Sequence, residues 1–100
     1  MAKFIYLYSG GQMAPSSPEE GKKLMDAWMA YFGKLGDKIL DMGAPLGKRK
    51  SVGGIGQSKI NGFTIVAAES LEEAVALTKG HPHLATGGSV EVAELAAPGM

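Results

Sequence analysis

Twice in this chain a Ser-x-x-Glu box opens a helix shortly after a run of residues with strand character. The first run is 3–8, followed by Ser17, Pro18 and Glu20; the second is 63–68, followed by Ser70 and Glu73. Each Ser is suited to accept a hydrogen bond from an orphan amide of the first turn, and the Glu to return one. Pro18 stands at the first helical position, where its missing N–H costs nothing. A strand followed by a capped helix, twice over, restricts the chain to a few architectures.

The helices can be read from their apolar spacing. Leu24, Met25, Trp28, Met29, Phe32 and Leu35 recur at three and four residues, the stripe of a helix spanning 18–35 that packs on a core. Gly36 is placed to cap it, and Gly33 to fray its last turn. Leu71, Ala74, Val75 and Leu77 give the second helix its apolar side; Gly80 caps it and Pro82 stops it. Strands are expected at 38–42, 63–68 and 89–95. A weaker strand at 51–55 is burdened by Gly53, Gly54 and Gly56. Asn61-Gly62 reads as a tight-turn pair, 12–17 as a polar loop and 96–100 as a loose tail. The result is an α+β, ferredoxin-like βαββαβ fold: one domain over 1–100, an antiparallel sheet with both helices on one face.

Two helices cover one side of such a sheet, yet the first strand is apolar on both. Phe4, Tyr6 and Tyr8 point one way, Ile5 and Leu7 the other; Phe63, Ile65 and Ala67 oppose Thr64, Val66 and Ala68. A solvated sheet face alternates with polar residues, so this second face needs a cover. A second copy packed sheet to sheet supplies one, and a homodimer is expected. The alternative cover is the long loop 43–59.

Composition narrows the function classes. Ten basic and ten acidic side chains cancel, so nothing draws the chain to nucleic acid or an anionic membrane, and neither is an expected partner. The absence of cysteine excludes disulfides, thiolate-held zinc and a thiol nucleophile. No apolar run approaches the roughly 20 residues of a membrane span. Residues 4–8 are too few for the core of a signal peptide, so a cytoplasmic location is expected.

Phosphate loops fail on spacing. In the segment from Gly43 to Ser51 three residues separate the glycines, and Arg49, not Ser or Thr, follows Lys48. Lys48, Arg49 and Lys50 fit a solvated edge, or contacts to an anionic ligand. Gly53-Gly54-Ile55-Gly56 lacks the third glycine and the following helix of a dinucleotide fingerprint. The two histidines remain, in His81-Pro82-His83. Imidazole is the usual group for proton transfer near neutral pH and a common metal ligand. Three readings stand: a turn that ends the second helix, a general acid/base, or a metal pair completed by Glu91, Glu94 or Asp41. His81 and His83 are the candidate catalytic residues, with no metal and no cofactor expected. Tyr8, Trp28, Lys48 and Ser51 are the candidate ligand-binding residues, although Trp28 also suits a plain core.

The stretch from Trp28 to Gly43 (Trp-Met-Ala-Tyr-Phe-Gly-Lys-Leu-Gly, then Gly-Ala-Pro) resembles the YCII-related, or DGPF-domain, family. So do Asn61-Gly-Phe-Thr-Ile-Val, Ser70-Leu-Glu-Glu-Ala, and Pro82 with Gly87-Gly88-Ser-Val-Glu-Val. The resemblance implies a dimeric α+β barrel. Members resembling enzymes carry a His on the first helix and an Asp in an Asp-Pro step after the second. Here the first helix has no His, His81-Pro82 takes the place of Asp-Pro, and the Asp-Gly-Pro-Phe tetrapeptide is absent. The family's dyad does not carry over. The expected function is a cofactor-independent enzyme acting through a His on a small anionic or aromatic metabolite; the alternative is a non-catalytic binding or accessory module.

Overall fold

Ser17 and Ser70 both cap as their boxes require: each Oγ accepts the amide of the Glu three residues on, at 3.1 Å in both cases. The computed structural model describes residues 2–11 and 17–96. The expected loop at 12–17 and tail at 96–100 fall almost wholly outside them. Strand β1 spans Ala2–Gly10, helix α1 Pro18–Leu35, and a single 3-10 turn Gly36–Lys38. Then follow β2 (Ile39–Asp41), β3 (Ile60–Ala68), α2 (Leu71–Ala76), α3 (Pro82–Ala85) and β4 (Gly88–Glu94). All sheet neighbours are antiparallel, in the order β2-β3-β1-β4. This is the ferredoxin-like α+β arrangement. Among the described residues no helix is long and apolar enough to cross a membrane.

The core lies between the helices and one sheet face. Phe4, Tyr6 and Tyr8 of β1 and Val66 and Ala68 of β3 are buried there with Tyr31 and Leu35 of α1 and Ala74 of α2. Buried phenols need partners, and each has one. Tyr6 donates to the Ala74 carbonyl at 2.6 Å and Tyr31 to the Leu77 carbonyl at 2.8 Å. Burial pushes the Tyr6 and Tyr8 hydroxyls up to about 12, and Tyr31 still higher. The opposite face carries Ile5, Leu7, Phe63, Ile65 and Ala67, all half-buried.

Several expectations are corrected. The weak strand at 51–55 does not form: those residues are exposed coil, and Gly53 and Gly56 have φ of 100° and 90°, outside strand geometry. Nor does the loop 43–59 cover the open sheet face: residues 44–59 are all exposed, with Val52 and Ile55 wholly in solvent. Asn61-Gly62 is no turn but lies inside β3, where Gly62 sits opposite Tyr8 and Asn61 donates to the Gly10 carbonyl at 3.2 Å. The α1 stripe is rotated. Tyr31, not counted in it, is buried, while Met25 and Met29 are 64% and 57% exposed. Gly33 does not fray the helix, which runs on to Leu35 before Gly36 caps it at positive φ. Pro82 ends nothing: it opens α3, with His81 as the N-cap.

Candidate functional site

Rotation of α1 leaves a cleft of about 570 Å³ between that helix and the sheet. Leu24, Met25, Trp28 and Met29 form the helix wall, and Tyr8, Gly62 and Thr64 the sheet wall. Residues 42–45, after β2, close one side, with Gly43 packed so tightly on β3 that a Cβ would stand 1.7 Å from the Phe63 carbonyl oxygen. His83 and Thr86 of the α3 segment close the other. None of the described lining residues is charged.

Both histidines are 1% exposed, but their surroundings differ. His81 sits among the rings of Tyr31, Trp28, Tyr8 and Tyr6, with centroids 4.4, 4.9, 5.0 and 6.2 Å away. Its Nδ1 caps α3 by accepting the His83 amide at 3.1 Å. An accepting Nδ1 carries no proton, so the neutral ring bears it on Nε2, which lies 3.0 Å from Tyr8 Oη and donates to it. Tyr8 donates onward to Thr64 Oγ1 at 2.6 Å, and Thr64 to the Met42 carbonyl at 3.0 Å. A backbone N–H at one end and a backbone C=O at the other give this wire a single direction. Burial, and secondarily the nearby His83, lowers the His81 pKa to about 4. Protonating Nδ1 would also break the cap, so His81 is neutral and spent.

His83 leaves a nitrogen over. Nε2 is 2.9 Å from the Ser9 carbonyl, an acceptor only, so Nε2 carries a proton. In the neutral ring Nδ1 is then a lone pair, with no hydrogen-bond partner among the described residues. Two glycines make room for the ring. A Cβ on Gly88 would stand 2.2 Å from Nε2, and one on Gly11 would stand 2.8 Å from Cε1 and 3.1 Å from Nδ1.

Of the residues singled out in the sequence, Tyr8, Trp28 and His83 meet at the cleft, and His81 lies behind Tyr8. Lys48 and Ser51 do not join them: both are exposed in the 44–59 loop and neither lines the cleft. Neighbouring Arg49 is tied to the Ile60 carbonyl instead. The His-x-His pair does not present two nitrogens to one ion, because a helical turn, not an extended stretch, separates the rings. Asp41 accepts the Gly43 amide at 2.7 Å, and no metal-holding group of three His, Cys, Asp or Glu occurs among the described residues. Thr64 was legible only as a strand residue; nothing in the sequence marked it as the link between Tyr8 and Met42.

No protein-family model matches this chain, and no curated protein does. Among solved structures it is similar to 5-chloro-2-hydroxyhydroquinone dehydrochlorinase (TftG) from Burkholderia phenoliruptrix AC1100, in complex with 2,5-dihydroxybenzoquinone. The TM-score is 0.54 and the identity 24%, over 93% of this chain and 91% of that one. The two chains share a fold. TftG is an enzyme, and the likeness extends along nearly the whole of both chains, but at this identity it reaches no further than the fold.

Proposed function

We propose that the chain is a small-metabolite enzyme that binds its substrate in the α1–sheet cleft and uses His83, without a cofactor, as the acid/base group. The observation that carries this reading is the Nδ1 of a His83 ring held at the cleft by Ser9, a nitrogen to which no described residue hydrogen-bonds. A general base needs a lone pair within reach of the substrate proton, and a fixed second nitrogen orients it. His81 serves as a positioning residue: it holds Tyr8, and through Tyr8 the sheet wall. We further assign the chain to the YCII-related group, on the motifs in its sequence and the fold shared with TftG, whose bound quinone suggests a planar ligand here. A sheet-to-sheet homodimer, covering Ile5, Leu7 and Ile65, completes the proposal.

The test is chemical-shift mapping with resorcinol, benzoate and 2,5-dihydroxybenzoquinone. At least one is expected to perturb the Trp28 indole, Tyr8 and His83 signals together. If none does, the cleft is not a ligand site. If a compound binds the cleft but none is turned over, the accessory-module reading replaces the enzymatic one; an activity that survives His83→Gln removes His83 as the acid/base group.

A further inference from the structure

The direction of each hydrogen bond around the cleft determines what a ligand there must offer. Five described lining side chains can hydrogen-bond: Tyr8, Trp28, Thr64, His83 and Thr86. Four have spent their protons inside the protein. Tyr8 gives its proton to Thr64, Thr64 to the Met42 carbonyl, and Thr86 to the His83 carbonyl at 3.0 Å. His83 gives its Nε2 proton to Ser9. What remains is a lone pair on His83 Nδ1, weaker lone pairs on the hydroxyls, and the indole N–H of Trp28. Among the described lining side chains acceptors outnumber donors, and none is a cation.

We propose that the cleft selects a neutral aromatic ligand that donates a hydroxyl hydrogen to His83 Nδ1, and discriminates against a carboxylate of similar size. This rests on the reading of the cleft as the ligand site. The sequence pointed to an anionic or an aromatic ligand; the geometry favours the second and opposes the first. A carboxylate would set its own lone pairs against that of Nδ1 and leave water with no Lys or Arg in exchange, an uncompensated loss of hydration. A phenol meets Nδ1 with a proton, and its ring meets Trp28, Phe32 and the thioethers of Met25, Met29 and Met42. Thioethers pack well against aromatic rings and adapt to their outline. An ether has the same ring but no proton, and leaves the buried acceptor unpaired.

The experiment compares dissociation constants of resorcinol, 1,3-dimethoxybenzene and benzoate for the full chain and for His83→Gln. Gln can keep a donor to Ser9 near the place of Nε2 while removing the Nδ1 acceptor. Resorcinol is expected to bind the native chain about tenfold tighter than either other compound. In His83→Gln the preference over the ether should vanish. If the ether or benzoate binds the cleft as tightly as resorcinol, the inference fails and the cleft reading stands. If His83→Gln folds and keeps the preference, His83 is not the acceptor. If no compound perturbs the cleft signals, both fall. The three-ligand comparison on the native chain decides the matter even if the variant does not fold.

Discussion

The amide of His83 donates to Nδ1 of His81 at 3.1 Å, and this one bond divides the labour between the only two imidazoles. It fixes the His81 proton on Nε2, points it at Tyr8, and removes His81 from acid/base work. It also starts α3, and the turn of α3 carries the His83 ring to Ser9 and the cleft.

Because the folded chain holds His81 neutral, stability should depend on acid. The unfolded residue binds a proton near 6.5 and the folded one only near 4. Between those values the unfolded state binds more protons, so stability falls as pH drops from about 6.5 to about 4, by about 3 kcal/mol in all. Above 6.5 this contribution is fully present. Urea unfolding across that range should show the loss, and His81→Phe should flatten it.

Tyr8 is the middle of the wire. Tyr8→Phe strands the Nε2 proton of His81 and the acceptor site of Thr64 in a dry interior. A buried unpaired group costs about 1–3 kcal/mol, so this variant should lose at least that much in denaturant unfolding. A loss within about 0.5 kcal/mol, the range of an ordinary surface substitution, would mean the wire contributes little.

Gly87 and Gly88 are adjacent but resist substitution for opposite reasons. Gly87 has φ of 85° and nothing within 4 Å of a Cβ, so Gly87→Ala costs backbone strain alone, about 1–2 kcal/mol. Gly88 lies in β4 without positive φ, and its Cβ would meet His83 at 2.2 Å. Gly88→Ala should displace the ring and abolish ligand binding, whereas Gly87→Ala should bind normally. Titrating both variants with resorcinol makes the comparison.

On the open sheet face Ile65 lies directly opposite Ile5. Placing a charge there should split a sheet-to-sheet dimer while leaving the helix-side core intact. Sedimentation equilibrium should report a dimer for the native chain and a monomer for Ile65→Lys. A native chain that sediments as a monomer at micromolar concentration would remove the dimer from the account.

Much of this fold was legible because local signals agreed with it. The capping serines, the apolar runs of β1 and β3 and the two-sided sheet could be read directly. The rotation of α1 was not: Tyr31 and Met29 both lie within reach of an apolar arc, and only the hydrogen bond from Tyr31 to Leu77 selects the first for the core. Pro82 was ambiguous for a comparable reason, since a proline suits a helix start as well as a stop. The site was half legible. Tyr8, Trp28 and the histidines could be named as candidates, but Thr64 and the different fates of His81 and His83 depend on contacts 56 to 74 residues apart. Lys48 and Ser51 were suggested by charge and spacing alone, and neither reaches the cleft.

The most direct measurement is a long-range nitrogen–proton NMR correlation of the two imidazoles, from pH 8 to about 5.5, with and without resorcinol. The account predicts a neutral His81 with its proton on Nε2 throughout, unmoved by ligand. It predicts that the Nδ1 signal of His83 shifts when resorcinol binds. A His81 that protonates near 6.5, or a ligand that moves His81 and leaves His83 untouched, would contradict the division of roles on which the proposed function depends.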